Sequence, residues 1–546
     1  MEKKCLAILE VSQKQAFIFS SNKLQDNVIN SAIIAWVTHP EFFEEVIADR
    51  SIYSEEINFA YAGGGHAVLI FDTKEQAKEF VWRITGYIYR TYSGLEMFAK
   101  ILECGEKIGK EELELLSKEL GKKKSNRQTA FHQGSFGIED RKKKEEKKTV
   151  SFDGRIAEMP KREKEIDDEL TPEGFRTTKW LEHLGGREGI ANFIAVIHID
   201  GNSMGKRVKD FQSSLEGKDW ETYRKEFRKF SDSIDKNFKQ AYKEMADEVA
   251  DAIRKEKLAG LELEGEDFPI RRIITAGDDI CFITDGRIGL ECARIFIEKL
   301  VEKGSDQEHY AACAGVAIVH RKYPFYRAYE LAEELCSNAK RFIANTYASL
   351  HTDTEAARSD SAKEQKKRTM DSAEVCANVC AIDWHIEYGE MKDGLDEIRS
   401  GYQTIEKEGE ERQHLELRPY ILLDPKGLLK GEAFRSYQNF KKLMHQIQTG
   451  DIEYARGKLK EFRSYLKEGE TAAAHYIKSK RIDDIELFGY QDIFTDMDCS
   501  KVGTGSSLER KTFITTADKK KHCLYFDAIE LFDLFIPIEI RLTQSH

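Results

Sequence analysis

Three things are scarce in this chain: long apolar runs, cysteine and net positive charge. The N-terminal "MEKKCLAILEVSQKQ" has no apolar stretch long enough for a signal peptide, and nothing later reaches the roughly 20 apolar residues that a membrane helix needs. A soluble, cytoplasmic protein without membrane contact is expected. Ten cysteines in 546 residues are few. Most of them, such as Cys281, Cys313 and Cys523, lie in apolar segments, the pattern of buried free thiols in a reducing compartment. The close pair Cys376 and Cys380 in "VCANVC" has no second pair at ribbon-like spacing, whereas a structural zinc normally takes four ligands, so zinc at this pair stays an open question. A formal net charge of −12 argues against a protein that coats nucleic acid by phosphate neutralisation alone, though not against a local basic groove.

What is present is material for real cores under a heavily charged surface. Hydrophobic residues make up 40% and charged residues 33% of the chain, and its length suggests about three or four domains. "CLAILEVSQKQAFIF" opens with an apolar strand and continues into a second apolar patch. The apolar residues of "NVINSAIIAWVTHPEFFEEVI" recur at three and four, as on a helix. "INFAYAGGGHAVLIFD" reads as strand, glycine turn, strand, and "TKEQAKEFVWRITGYIYRTY" as an amphipathic helix capped by Asp72 or Thr73. Residues 119–188 break the pattern. Rich in lysine and glutamate, they read as a solvated, mobile linker or insert, or else as an arm that touches nucleic acid.

The first pattern then recurs at long period. "NFIAVIHID" is a strand ending in Asp200 and the loop "GNSMG"; a long amphipathic stretch from Trp220 follows, then the hairpin "IRRIITAGDDICFITDG", the helix "GLECARIFIEKLVEKG", the strand "YAACAGVAIVHRKYP" and the helix "FYRAYELAEELCSNAKRFIAN". Alternation in "CAIDWHIEYG" puts Ile382, Trp384 and Ile386 on one strand face and Asp383 and His385 on the outward face, with "LRPYILLD" as a partner strand. Trp384 and Phe526 read as core. The expected organisation is α+β: a first domain at 1–118, the charged insert at 119–188, a second domain at 189–428 and a helical C-terminal domain at 429–546.

The chemistry gathers at "AGDD". If the hairpin pairs with the strand that ends at Asp200, then Asp200, Asp278 and Asp279 converge at one sheet edge, where unpaired carboxylates repel unless a cation neutralises them. Hard oxygen donors in that number suit Mg²⁺ or Mn²⁺, which complete their shells with waters and substrate phosphates. The loop after Asp200 offers Gly201, Asn202, Ser203 and Gly205 at a helix start, a cradle for phosphate.

"HIDGNSMG", followed by "AGDD" and by a helix carrying "CSNAKR", resembles the second palm domain of the large polymerase–cyclase subunit of type III CRISPR effector complexes. It is more distantly similar to diguanylate and adenylate cyclases. The family's hairpin motif is usually GGDD; Ala276 stands in its first place, and both carboxylates are kept. The resemblance implies two ferredoxin-like palm domains, with Asp200 and Asp279 as paired metal ligands, Asp278 beside them and Lys340 reaching the triphosphate. "SQKQAFIFSSNKL" and "YAGGGHAVLIF" are similar to the family's first palm. That copy has Glu10 where a strand-end carboxylate would sit, and Gly65 and His66 where the paired aspartates would be. It is therefore expected to be degenerate, to bind no metal, and to take a second nucleotide against Gly63, Gly64 and Gly65. His66 reads as structural or exposed, with a role as a base the alternative. The chain has no adjacent His–Asp pair, so the family's nuclease domain, and with it DNA cleavage, is not expected here.

The function this implies is a metal-dependent nucleotidyltransferase. It would join ATP-derived nucleotides into a cyclic oligoadenylate or a related AMP conjugate, such as one with S-adenosylmethionine, in antiviral defence. Type III subunits with guide and target RNA would be its partners. The alternative is a non-catalytic scaffold subunit that binds guide RNA and partner subunits.

Overall fold

The computed structural model describes residues 4–92, 94–105, 108–126, 158–184, 192–258, 260–304, 310–352, 374–389, 394–406, 411–449, 452–479 and 512–539. Two sheets organise it. The first holds β1 (Cys5–Ser12), β2 (Phe59–Gly63), β3 (His66–Phe71) and β4 (Glu96–Glu103) in the order β2-β3-β1-β4, every neighbour antiparallel. The second holds β5 (Phe193–Gly201), β6 (Ile270–Ala276), β7 (Asp279–Asp285), β8 (Ala312–His320), β9 (Cys380–Glu387) and β10 (Tyr420–Leu423) in the order β10-β9-β8-β5-β7-β6. Its segment β6-β7-β5-β8 repeats the order of the first sheet, so the fold is α+β with two ferredoxin-like sheets. β9 runs parallel to β8 and pairs antiparallel with β10, the partner expected from "LRPYILLD". β4 had no counterpart in the sequence reading; it completes the first sheet on the far side of β1.

Helices fill the connections. α1 (Lys14–Ile18), α2 (Leu24–Trp36), α3 (Pro40–Val46) and α4 (Glu55–Asn58) lie between β1 and β2. The apolar run read as one helix is two, because Pro40 cannot donate into a continuing helix and instead opens α3 at its first position. α5 (Lys74–Thr91) joins β3 to β4 and takes Thr73 as its cap, whose hydroxyl accepts from Gln76 N. α6 (Lys110–Ser125) follows β4 and runs into the stretch expected to be a linker. α7 (Lys161–Leu170) lies in that stretch too, and Asp167 docks it through ion pairs to Arg271 (2.5 Å) and Arg272 (3.0 Å) of β6. α7 is thus docked on one face and not wholly solvated, because Arg271 and Arg272 neutralise its buried Asp167.

In the second half, α8 (Met204–Ser214) and α9 (Trp220–Arg254) join β5 to β6, α10 (Gly289–Glu302) joins β7 to β8, and α11 (Phe325–Thr352) follows β8. The halves exchange helices: α2 of the first packs on β6 of the second, and α9 of the second packs on β2 of the first. Arg224 of α9 donates to Phe59 O (2.7 Å) and Ser231 to Ala62 O (3.3 Å). One apolar core runs between the sheets, joining Leu9, Val11, Ile33 and Phe43 to Val196, Cys281, Ala317 and Tyr329.

Asp383 and His385, expected on an outward strand face, are buried. α11 and the segment after β9 cover that side of the sheet, with Tyr402 packed edge-on against His385. Asp383 is satisfied by Asn338 (2.8 Å) and Arg399 (2.6 Å), which lets a carboxylate sit in a sheet interior. Trp384 and Phe526 are core residues. The C-terminal portion carries helices Tyr437–Thr449, Ile452–Glu468, Glu470–Ser479 and Phe526–Leu531, together with a two-stranded hairpin, Phe513–Thr515 with Lys521–Cys523. No helix among the described residues is long and apolar enough to cross a membrane.

α11 reaches the candidate site because it lies almost on β8. A Cβ at Gly315 would sit 1.9 Å from Ala332 O and 2.4 Å from Cys336 N, both helix backbone that cannot swing aside. Gly315→Ala is therefore expected to cost about 3 kcal/mol, the upper part of the range for overpacking. A urea midpoint measured on the full chain tests this; an unchanged midpoint would mean that α11 is free to lift from the sheet.

Candidate active site

The register of β5 with β7 sets Asp200 directly opposite Asp279. β6 and β7 meet in a two-residue turn, Gly277–Asp278, closed by the pair Ala276 and Asp279. Gly277 has φ +67°, the positive value that the first central position of such a tight hairpin turn demands of glycine. Asp278 then projects towards the loop after β5: a Cβ at Gly201 would lie 3.2 Å from Asp278 Cβ. The three expected carboxylates thus come together at one rim of the sheet, from residues almost 80 positions apart in the chain.

α11 brings Lys340 to the same rim. Its ammonium contacts Asp200 Oδ2 at 2.6 Å and Gly201 O at 3.0 Å. Burial alone would depress the Lys340 pKa, but the charge of Asp200 outweighs it and holds the group above its ordinary range. Burial, followed by the charge of Asp200, pushes the Asp278 carboxyl up to about 6. The same causes, with Glu333 of α11 next, push Asp279 up to about 7. Asp279 Oδ1 is buried and has no hydrogen-bond partner although the side chain as a whole is 44% exposed, so the chain leaves that one oxygen uncompensated.

The remaining expected residues take different places. Ser203 has φ +57° at the start of α8, and Gly205 faces open space in its first turn. Asn202, expected in the phosphate cradle, is buried; its amide donates to Val379 O (2.9 Å) and its backbone N–H to Ala311 O (2.7 Å), so it anchors the loop to the sheet. Cys376 is half-buried and Cys380 lies buried at the start of β9. Among the described residues, no group of three or more His, Cys, Asp or Glu side chains stands arranged to hold a metal ion. The donor chemistry of the rim nevertheless suits Mg²⁺ or Mn²⁺: three hard carboxylates, two with raised pKa and one with an orphaned oxygen. In the structure as it stands, the Lys340 ammonium takes one oxygen of that set.

The first sheet builds the same frame with other chemistry. Glu10 pairs with His66 in the register that pairs Asp200 with Asp279. Gly64 (φ +54°) and Gly65 (φ +77°) form the hairpin turn, which places Gly65 and His66 where the second sheet has its two aspartates. Lys124 of α6 meets Glu10 at 2.9 Å, as Lys340 of α11 meets Asp200. Lys14 donates to Gly64 O. Burial, then Lys14, holds His66 below the usual imidazole range.

Between the two rims lies a cavity of about 650 Å³. Its walls include Glu10, Lys14, Gly64, Gly65 and Lys124 from the first half, and Thr275, Ala276, Asp279, Tyr326 and Tyr329 from the second. Lys14, Gln15, Lys124 and Glu333 were not singled out in the sequence. Gln15 donates to Glu333 at 2.9 Å and so ties the first half to α11. Lys124 was legible only through the repeat, since the spacing from the end of β4 to it nearly equals that from the end of β8 to Lys340.

A ferredoxin-like sheet whose central strand and adjoining hairpin bring carboxylates to one rim defines a palm domain. Residues 193–347 match the family model Cas10/Cmr2, second palm domain. Among solved structures, the apo Csm1–Csm4 cassette is similar at 14% identity with a TM-score of 0.49, covering 98% of this chain and 70% of that one. The cassette in complex with cA3 gives 14% and 0.49, covering 98% and 69%. The cassette in complex with AMPPNP gives 15% and 0.39, covering 61% and 52%, so the alignment spans about half the length of that relative. A comparison with curated proteins finds no match.

The raised carboxyls make a prediction about stability. Asp278 and Asp279 bind protons more tightly in the folded chain than at the ordinary 3.8, so stability falls as pH rises from about 4 to about 7, and the loss is complete above that. Asp279→Asn is therefore expected to raise the metal-free thermal midpoint at about pH 8 and to leave it nearly unchanged at about pH 4. Scanning fluorimetry across pH tests this; a lowered midpoint at the alkaline end would show that the ionised carboxylates do not repel.

Proposed function

We propose that this chain is a nucleotidyltransferase of the Cas10 type that joins nucleotides derived from ATP. The observation that carries the reading is the Asp200–Asp279 register pair, with Asp278 beside it, in a segment that matches the second palm model. Asp200, Asp278 and Asp279 would hold Mg²⁺ or Mn²⁺. When bound, that ion neutralises triphosphate charge and eases loss of the proton from an acceptor hydroxyl. In the reaction the acceptor oxygen bonds to the α-phosphorus, the bond from that phosphorus to the bridging oxygen breaks, and pyrophosphate leaves.

The chain's own groups have distinct parts. Lys340 passes from Asp200 Oδ2 to a triphosphate oxygen, which frees the carboxylate. Backbone N–H groups from Ser203 to Gly205 receive phosphate at the start of α8. Across the cavity, Gly63, Gly64 and Gly65 let a second nucleotide approach the first sheet closely, with Lys14 and Lys124 as its nearest cations. The product is a cyclic oligoadenylate, or an AMP conjugate such as one with S-adenosylmethionine, made in antiviral defence beside type III subunits with guide and target RNA. Domain limits of 1–118, 119–188, 189–428 and 429–546 belong to the same proposal.

One observation favours a scaffold without catalysis: the Lys340 ammonium occupies Asp200 Oδ2. Labelled ATP with Mg²⁺ or Mn²⁺, with and without cognate target RNA, separates the two. Turnover is expected to fall by about a hundredfold or more in the Asp278→Ala/Asp279→Ala variant, the scale of losing several kcal/mol of charge stabilisation. No turnover in any arm, with wild type and variant alike, would leave the scaffold.

A further inference from the structure

His198 lies on β5 two residues before Asp200, so both side chains leave the same face of the strand. It is buried, and its Nδ1 stands 3.6 Å from Asp279 Oδ1. Neither atom has a hydrogen-bond partner. Its ring packs edge-on against Tyr329 of α11, with centroids 5.6 Å apart at 79°. Tyr329 and Asp279 line the cavity between the sheets, while His198 does not. The imidazole therefore sits behind the carboxylate and away from any substrate.

We propose that His198 is the positioning residue of Asp279: its Nδ1–H donates to Oδ1 and fixes the carboxylate with Oδ2 turned to the rim. Closing the gap to an ordinary N–H···O length of about 3.0 Å takes a carboxylate shift of about 0.6 Å. That movement satisfies two orphaned buried atoms at once. A carboxylate free to turn would present its two oxygens in no fixed order, and outer hydrogen bonds are what orient carboxylates that ligate metals. The contact with Tyr329 fixes the ring, so α11, which carries Lys340, also bears on the orientation of Asp279.

The inference rests on reading Asp279 as a metal ligand, and its test separates the two. Mn²⁺ binding is measured on the full chain by electron paramagnetic resonance, with Mn²⁺ alone and with Mn²⁺ and ATP, together with kcat and KM. His198→Phe keeps the ring volume and the contact with Tyr329 but removes the donor; His198→Asn places an amide N–H near the position of Nδ1. The Phe variant is expected to bind Mn²⁺ about 10- to 100-fold more weakly, and the Asn variant to recover most of that loss. KM for ATP should rise with Mn²⁺ limiting and return towards the wild-type value with Mn²⁺ in excess. Equal Mn²⁺ affinity in the wild type and the Phe variant, with Asp279→Ala impaired, overturns the role of His198 alone. An Asn variant as weak as the Phe variant overturns it too. A wild type that binds no Mn²⁺ overturns the metal reading and this inference together.

Discussion

Two aspartates forced opposite each other by strand register are the constraint around which this molecule is arranged. Asp200 and Asp279 cannot separate without slipping β5 against β7, and a slip by one residue would turn every apolar side chain of the slipped strand to the wrong face. Their repulsion is therefore fixed by the core. The chain answers it by bringing Lys340 to Asp200 and by letting Asp278 and Asp279 hold their protons to higher pH. Such an arrangement costs stability where it stands, and strain of that kind concentrates where a site awaits a charged ligand.

The first sheet answers the same geometric problem differently. Glu10 faces His66 where Asp200 faces Asp279, so one carboxylate replaces two and Lys124 is enough to balance it. What the halves share is a frame: a central strand, a glycine hairpin beside it and a lysine brought from the helix after the fourth strand. The exchange of α2 and α9 then turns the two rims towards one cavity. Asp235 of α9 accepts from Gly277 N at 3.3 Å, one helical turn beyond the contact of Ser231 with Ala62. A single helix thus touches both glycine hairpins, which couples their spacing to one rigid element.

The residues that were legible in the sequence share a physical feature: each carries local pattern. The central strand stands out as an unbroken apolar run, and "AGDD" as charges interrupting one. The repeat showed where Glu10, Gly65 and His66 would lie. Asp383 and His385 misled because alternation tells which residues share a face and not whether that face is covered; what covers it, α11 and the segment from Leu395 to Tyr402, is set by tertiary packing. The charged segment misled at Asp167 for a related reason, since its partners Arg271 and Arg272 lie about a hundred residues away. Asn202 carried a loop signature, yet its amide went to Val379, a residue that nothing near it announces.

By itself the sequence determined the central strands and hairpins, their order, the duplication and the three acidic residues able to meet at one rim, because periodicity and turn chemistry act over a few residues and are written there. Tertiary structure alone decided that Lys340 rests on Asp200, that Gln15 reaches Glu333, that Lys124 rests on Glu10, and that His198 stands behind Asp279. Those pairs are set by how helices cross sheets. That crossing follows from the summed packing of many distant apolar side chains, which no short stretch of the chain encodes.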